Sequence, residues 1–273
     1  MRAIRRLRRD DRRDFNDAIQ HRNLVSARRL RRVRPRVFEA YDRYQQHKRN
    51  LTGLAAIRCT RLQKKDLSGN YKLTGENKPL AYIREDLLDR EPAEYCPYCS
   101  FGEAESLDHF LPQSLFPEFS LLSKNLVPCC PRCNLLKRAK NGEHAIHPYY
   151  DHLGTRIVYA EVEVSDAVAV RYKLRNRNGM NTKLFERCQE QFNLLELEKR
   201  WRKQASLTLA NQRGALRSAL QSSGVSGLKS RLREQARSHR ENGGLNGFGY
   251  SLYAALANST EFHRQAARVL ARH

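Results

Sequence analysis

The sequence predicts an α+β protein, in which a zinc-stapled strand, loop, strand and helix are embedded in a mostly helical chain. Three observations predict this class. Two C-x-x-C pairs enclose thirty residues, strand-like segments lie between the pairs, and apolar residues recur at helical spacing through most of the remaining chain. We therefore divide the chain into a basic N-terminal helical region (1–93), a zinc-clamped core (94–153), and a β-hairpin followed by a C-terminal helical region (154–273).

The first region is predicted to consist of helices joined by one long loop. Apolar residues at helical spacing predict a helix over 11–33 and, after Pro35, a second helix over 37–63. Residues 64–78 are rich in Lys, Asn and Gly and are predicted to form a loop. A further helix is predicted over 79–91, just before the first cysteine pair.

Four cysteines have the spacing of a metal site. Cys96 and Cys99 form the first pair, and Cys130 and Cys133 form the second. Two short cysteine loops of equal spacing can present four thiolates to one zinc ion. Because four thiolates leave the ion no open position for water or substrate, we expect a structural zinc that holds the enclosed segment in place.

Three further cysteines stand outside this pattern. Cys129 competes with Cys130 for the third ligand position, and the C-x-x-C spacing favours Cys130. Cys129, Cys59 and Cys188 are expected to be small buried hydrophobic residues. The odd total of seven cysteines, without a secreted-type framework, argues for a reducing cytoplasm rather than for disulfides.

The segment between the pairs has the pattern of a hairpin. ESLDHF predicts a short strand that ends at Asp108 and His109, and NLV, from Asn125, predicts the returning strand. Pro112 and Pro117 break the stretch between them into a loop, and NLLKRAK after the second pair has helical spacing. Since adjacent residues of a strand point to opposite faces, Asp108 can bind a cation while His109 faces a water molecule.

The polar residues of this segment suit the chemistry of a metal-dependent nuclease. Asp108 offers a carboxylate oxygen and Asn134 a carbonyl oxygen, both of the hard type that Mg²⁺ prefers. His109 can act as a general base, because a neutral imidazole with a pKa of about 6.5 accepts a proton at cellular pH. The Asn125 amide is expected to bond across the loop and to fix the backbone behind His109.

These residues are also where the chain resembles a known family. Asp108-His109, Asn125 and the run CPRCNLLK (130–137) resemble the HNH endonucleases of the ββα-metal superfamily, over about residues 94–141. In that resemblance His109 is the first H and Asn125 is the N. Asn134 takes the position of the third H, where many members carry Asn instead.

The resemblance implies an endonuclease that cuts DNA with a divalent ion and leaves a 5′-phosphate and a 3′-hydroxyl. Asn at the third position favours Mg²⁺ or Mn²⁺ over zinc as the catalytic ion. Lys137, Arg138 and Lys140, on the predicted helix, are our candidates for phosphate contacts, which position nucleic acid without reading its sequence. An RNase on the same scaffold, and a zinc protein that binds nucleic acid or a partner without catalysis, both remain open.

A second resemblance lies downstream of this core. The run HPYYD (147–151) is similar to a stretch that follows the HNH core in nucleases of bacterial defence loci, and with the MR-I-R start it resembles the HNH subunit of Septu-type anti-phage systems. This resemblance implies a cytoplasmic effector held or targeted by a regulatory partner such as an ATPase. His144, His147 and His152 are expected to be loop residues, although an approach of one of them to the metal or to a phosphate stays open.

The charge of the chain suits a polyanionic partner. The net charge is +22 and the isoelectric point is 10.1, so binding to nucleic acid is expected to be steered electrostatically and weakened by salt. Residues 1–36 hold fourteen arginines, four aspartates and no lysine. Because arginine forms forked contacts with phosphate or carboxylate, a DNA-binding arm and a dock for an acidic protein both remain open. No apolar stretch approaches a signal peptide or a membrane span, so we expect a cytoplasmic protein without a membrane partner.

The last region combines strands and helices. RIVYAEVEV and AVAVRYKL alternate as two strands around Ser165 and Asp166 and predict a hairpin. Residues 181–221 carry a long amphipathic helical pattern punctuated by Gly214, and its aromatic residues are expected to pack in the core. Glycines between 243 and 249 predict a connector before one or two closing helices.

Overall fold

The computed structural model describes residues 1–89, 95–138 and 145–271, which form α-helices and two small antiparallel sheets. This agrees with the predicted α+β class. Within these residues no helix is both long enough and apolar enough to cross a membrane. Two compact units can be distinguished. The N-terminal unit comprises Ala3–Cys96 and Gly102–His152, and the C-terminal unit comprises Met1–Arg2, Pro97–Phe101 and Leu153–His273.

In the part of the N-terminal unit that is described before the first cysteine pair, residues 3–89, there are four α-helices. They are α1 (Asp11–Gln20), α2 (Leu24–His47), α3 (Arg61–Asn70) and α4 (Ala81–Leu88). Local caps start the first two, because the side chain of Asp10 accepts a hydrogen bond from Arg13 N and that of Asn23 accepts one from Ser26 N.

Helix α2 continues through Pro35, where a break was predicted. Proline removes one backbone hydrogen bond and crowds the preceding turn. However, Val33 and Val37 on either side of it are fully buried, and each buried aliphatic side chain contributes about 1.5–3 kcal/mol. This burial holds the helix together across the proline. The chain leaves the helix after His47 instead, and residues 48–60 are not helical.

The predicted loop 64–78 is also corrected, because its first seven residues belong to α3 and a short 3-10 turn follows (Tyr71–Thr74). A capping box starts α3. The Thr60 hydroxyl accepts from Gln63 N at 3.2 Å, and the Gln63 side chain accepts from Thr60 N at 3.0 Å. Together with the full burial of Leu67, this start signal outweighs the low helix propensity of the Ser, Gly and Asn residues that follow.

The segment between the cysteine pairs folds in the predicted order of strand, loop, strand and helix. Strand β1 (Ser106–His109) pairs antiparallel with β2 (Leu126–Cys129), and helix α5 (Pro131–Lys137) follows directly. The register places Asp108 and His109 opposite the first two residues of β2. Both polar side chains therefore lie at the end of β1 where the loop begins.

An aliphatic cluster fixes this hairpin to the helices of the same unit. Leu107 of β1 and Leu126 of β2 are buried together with residues of α1 and α4, and their burial orients the strand that carries Asp108. The cluster consists of Ala18, Leu80, Ile83, Leu87, Leu107, Leu121 and Leu126.

The C-terminal unit contains the predicted hairpin, with β3 (Val158–Val164) paired antiparallel to β4 (Val168–Leu174). Four helices follow, which are α6 (Thr182–Leu194), α7 (Leu197–Gly243), α8 (Phe248–Asn258) and α9 (Thr260–Ala271). The last two are the closing helices expected after the glycine connector. Gly214 does not interrupt α7. The helix breaks instead at Ser223 and Gly224, whose backbone angles are not helical.

Aromatic residues form the core of this unit, as expected. Trp201 of α7 is fully buried and packs edge-on against Tyr172 and Phe192, with ring centroids 5.3 Å and 5.5 Å away. Its indole N–H donates to Cys99 O at 2.8 Å. Phe192 of α6 and Trp201 of α7 therefore serve packing, and their buried rings are closed to the stacking of bases.

Candidate functional site

The four cysteines of the two C-x-x-C pairs come together. The Sγ atoms of Cys96, Cys99, Cys130 and Cys133 lie within 4.8 Å of one another, and each residue is at most 6% exposed. Four thiolates at about 2.3 Å from a zinc ion are about 3.8 Å apart, so the cluster is compatible with a tetrahedral zinc site. The described ranges hold no second group of three or more His, Cys, Asp or Glu placed to bind a metal.

Local backbone geometry presents these thiols. Cys130 caps the N-terminus of α5, and its Sγ accepts a hydrogen bond from Cys133 N at 3.4 Å. Such a bond favours the thiolate, which is the form that binds zinc. In the first loop, Cys96 N donates to Gly102 O at 2.7 Å, and Ser100 adopts a left-handed φ of 61° within the turn.

The remaining cysteines lie outside the cluster. The Sγ of Cys129 is 3.5 Å from Ser106 Oγ, and burial raises the pKa of this thiol, so Cys130 is the member of the adjacent pair that joins the cluster. Cys188 is fully buried as expected, whereas Cys59 is only partly buried. No disulfide joins any of the seven cysteines, all of which lie in the described ranges.

The Asp108 carboxylate is paired with the Lys137 ammonium. Nζ lies 3.0 Å from Oδ2 and 3.2 Å from Oδ1, and it also donates to His109 O and Phe110 O at 3.0 Å each. Asp108 is 2% exposed and Lys137 1% exposed. Lys137 is therefore not placed to contact a phosphate, which corrects our prediction. It lies one turn after Asn134 on the face of α5 that meets β1, and this spacing was visible in the sequence as Asn-x-x-Lys.

The atoms beside this ion pair that could bind a metal are oxygen atoms. Asp108 offers a carboxylate and Asn134 offers a side-chain carbonyl, a donor set that fits Mg²⁺ or Mn²⁺ better than it fits zinc.

The His109 ring is held in one orientation. Its Nε2 lies 3.0 Å from Ser120 O, and the Tyr71 ring packs edge-on against it with centroids 4.5 Å apart. Because a carbonyl oxygen only accepts, Nε2 carries the proton and Nδ1 keeps its lone pair. Burial lowers the pKa of His109, and the nearby charge of Lys137 acts in the same direction. The result is a neutral, oriented imidazole with one basic nitrogen.

Asn125 spans the loop between the strands, as expected. Its Oδ1 accepts from Leu111 N at 2.8 Å, and its Nδ2 donates to Leu111 O at 3.1 Å and to Phe119 O at 3.3 Å. Its own carbonyl accepts from Phe110 N at 2.8 Å. Asn125 is fully buried, so these bonds fix the chain directly after His109.

Asn134 of α5 is attached to β1 through its amide nitrogen. Nδ2 donates to Ser106 Oγ at 3.3 Å and to Leu107 O at 3.4 Å. The carbonyl oxygen of this side chain accepts no hydrogen bond from the residues described, and it is the atom suited to a metal ion. Asn134 and Lys137 thus connect one face of α5 to consecutive residues of β1, next to Asp108.

The other predicted residues fall in three groups. Arg138 is exposed at the end of α5, with a φ of 44°, whereas Lys140 and His144 lie outside the described residues. His152 is exposed. His147 is 1% exposed; its Nδ1 accepts from Tyr149 N at 3.2 Å, and its Nε2 lies 3.0 Å from the Tyr44 hydroxyl. His147 therefore packs the interior and is not placed to reach a phosphate.

Part of the N-terminal arginine block is used inside the protein. Several of its guanidinium groups pair with carboxylates, so their charge is balanced within the fold. The pairs are Arg9 with Asp14 and Asp86, Arg12 with Asp42, and Arg29 with Asp66. Arg28, Arg31 and Arg32 on α2 stay exposed.

The chain is similar in sequence to a bacteriophage protein. The chain is 30% identical over 179 residues to protein ea31 of Escherichia phage lambda, over 62% of this chain and 59% of that protein. The chain thus matches less than two thirds of the length of this relative, whose name states no activity. No family model matches the chain, and no solved structure matches it.

Proposed function

We propose that the chain is a metal-dependent endonuclease of the HNH type that hydrolyses phosphodiester bonds in DNA. The observation that carries this proposal is the arrangement at the end of β1. Asp108 and His109 are adjacent there, Asn134 of α5 bonds to the same strand, and Asn125 fixes the loop that follows. The net charge of +22 supports a polyanionic substrate.

His109 supplies the general base in this proposal. Nε2–H stays bound to Ser120 O, so Nδ1 takes a proton from a water molecule. The water oxygen attacks phosphorus and the bond from phosphorus to O3′ breaks, which leaves a 5′-phosphate. The departing 3′ oxygen takes its proton from solvent.

Asp108 and Asn134 are the residues that would hold the divalent ion, through one carboxylate oxygen and one amide oxygen. The chemistry that Mg²⁺ or Mn²⁺ would supply there is stabilisation of negative charge on the phosphate and the departing oxygen. Lys137 and Asn125 are positioning residues. Lys137 fixes the carboxylate and the carbonyl groups around His109, while Asn125 fixes the loop.

The test is cleavage of plasmid DNA, single-stranded DNA and RNA by the purified chain, with Mg²⁺, Mn²⁺ or EDTA. We expect the wild type to cut DNA with metal and not with EDTA. His109→Ala should lower the rate by about 10²- to 10⁴-fold, the usual contribution of a general base. His152→Ala is the matched control and should cut as the wild type does, since His152 is exposed and touches none of the proposed site.

Equal rates for His109→Ala and the wild type would refute this mechanism. Cleavage of RNA alone would keep the scaffold and its chemistry but change the substrate to RNA.

A second candidate function is a zinc protein that binds nucleic acid without cutting it. The burial of Asp108 against Lys137 favours this candidate, because a divalent ion has to approach a carboxylate that is 2% exposed. It predicts binding that is sensitive to salt, with no cleavage under any metal condition.

A further inference from the structure

Helix α7 folds back on itself as a hairpin with two arms. A Cβ atom built on Gly227 would lie 2.9 Å from Ala219 O, whereas residues eight apart in a continuous helix are about 12 Å apart. The reversal is at Gly224, with a φ of 60°. At the other end, Trp201 in the first arm contacts Phe248, which follows the second arm, with ring centroids 6.3 Å apart.

The middle of this hairpin contributes little to the core. Between residues 206 and 227, Leu216 is the one buried residue, and the rest are exposed or partly exposed. Two large apolar side chains in this stretch, Leu207 and Val225, are exposed.

In the second arm Leu228, Leu232 and Ala236 are buried, whereas Arg233 and Arg237 are exposed and Lys229 is partly exposed. This arm therefore packs by one face and presents cations to solvent on another.

The second arm carries an unbalanced row of cations. Lys229, Arg233 and Arg237 follow one another at four-residue spacing, so they lie on one face about 6 Å apart. Within the described residues none of the three forms a salt bridge. The nearest acidic residue in sequence, Glu234, is paired with Arg231 at 2.9 Å. This differs from the N-terminal block, where Arg9, Arg12 and Arg29 are neutralised by aspartates.

We propose that the α7 hairpin binds the phosphate backbone of duplex nucleic acid through Lys229, Arg233 and Arg237. Each strand of a duplex presents one charge per 3.4 Å of axis, so cations about 6 Å apart can each contact a phosphate along one strand. The inference deepens the proposed function and rests on it for DNA as the ligand, because it names a substrate-binding surface made of residues that take no part in the cutting.

The chemistry of the row favours nucleic acid over an acidic protein. The cores of protein interfaces are apolar and rich in aromatic residues such as Tyr, Trp and Phe, and none of these three occurs between 202 and 247. Over residues 229–237 the row is regular and holds cations alone, as expected for contacts that position a phosphate backbone without reading bases.

The test compares two triple variants that each lose three charges. One carries Lys229→Gln, Arg233→Gln and Arg237→Gln. The matched control carries Arg28→Gln, Arg31→Gln and Arg32→Gln, which are exposed on α2 and form no salt bridge within the described residues. Glutamine keeps helix propensity, so both variants should fold, as circular dichroism will show. Fluorescence anisotropy of labelled duplex DNA, duplex RNA and polyglutamate is measured without added Mg²⁺ or Mn²⁺ and without chelator, over a range of salt concentrations.

We expect the hairpin variant to bind duplex at least tenfold more weakly. The slope of the logarithm of its binding constant against the logarithm of salt concentration should fall in magnitude by about 2 to 3, since each phosphate contact contributes about 0.9. The affinity of the control variant for duplex should fall by less than about threefold. Equal losses of affinity in both variants would show that binding depends on the overall positive charge and not on this row, and would overturn the proposal. Unchanged duplex binding, or a loss of binding to polyglutamate alone, would also overturn it. Binding is thus measured apart from cleavage. If the hairpin row binds duplex in a chain that never cuts with Mg²⁺ or Mn²⁺, this inference is supported and the proposed function is refuted.

Discussion

Asp108 and Lys137 form an ion pair with side-chain exposures of 3% and 2%. Forming such a pair adds little net stability, because both charges lose their hydration, but removal of one partner leaves the other charge buried and uncompensated. The Lys137 ammonium also serves the carbonyl groups of His109 and Phe110. Loss of this one side chain would therefore disturb three acceptors around the proposed base.

We expect Lys137→Met to lower the free energy of unfolding by about 3–5 kcal/mol, the usual effect of breaking a buried pair. Urea denaturation in the presence of zinc measures it. Lys173→Met is the matched control, because Lys173 pairs with Glu161 at an exposed site on β4 and should change stability by less than about 1 kcal/mol. Equal, small effects of both substitutions would contradict the structural importance of Lys137.

The His109 environment gives a prediction for pH. Burial lowers the pKa of His109 below its ordinary value of 6.5, so the imidazole stays neutral in acid that would protonate a free histidine. We expect the acidic limb of kcat/KM for cleavage to lie below pH 6.5. A limb centred above pH 6.5, in rates measured from about pH 5 to pH 9, would contradict this environment.

The same shift affects stability with a definite sign. The unfolded chain binds a proton at His109 more readily than the folded chain does. The contribution of the neutral ring to stability is thus present above pH 6.5 and is lost as pH falls towards the lowered pKa.

At the scale of elements, the strand pair β1 and β2 is small. Each strand has four residues, and a two-stranded sheet of this size is marginal without further support. Burial of Leu107 and Leu126 supports it from the helical side. The four-cysteine cluster supports it from the other end, since β2 leads into Cys130, which begins α5.

We expect the purified chain to carry about one zinc ion, and Cys133→Ser to lose it together with a cooperative unfolding transition. Atomic absorption and thermal unfolding measure the two effects. Cys59→Ser is the matched control and should keep both, because Cys59 is partly exposed and lies outside the cluster. A Cys133→Ser protein with the thermal stability of the wild type would show that the cluster does not hold a structural metal.

The elements show why the sequence predicts some boundaries and not others. Alternation in β3 and β4 and the short strands beside Asp108 are local patterns, so their predictions were confirmed. The continuity of α2 through Pro35 and the helical start of residues 64–78 depend on side chains that become buried only in the fold, namely Val33, Val37 and Leu67. Propensity is a weak signal where burial opposes it.

At the scale of the whole molecule, the distribution of charge matters more than its total. The net charge of +22 is a property of composition, and the arginine density of residues 1–36 is visible in the sequence. Folding then balances part of that block with aspartates from distant positions, Asp42, Asp66 and Asp86. Among the residues that the structure describes, it leaves Lys229, Arg233 and Arg237 of the second arm of α7 without a salt bridge, although that row is far less conspicuous in the sequence.

The sequence by itself determined the α+β class, the two cysteine pairs, the strand, loop, strand and helix between them, and the polar residues at the end of β1. These follow from spacing and periodicity, which depend on neighbours along the chain. Only the tertiary structure decided that Lys137 is buried against Asp108, that His147 packs in the interior, and which cations remain exposed. Those outcomes depend on groups far apart in sequence, because desolvation and pairing are set by whatever the fold brings within a few ångströms.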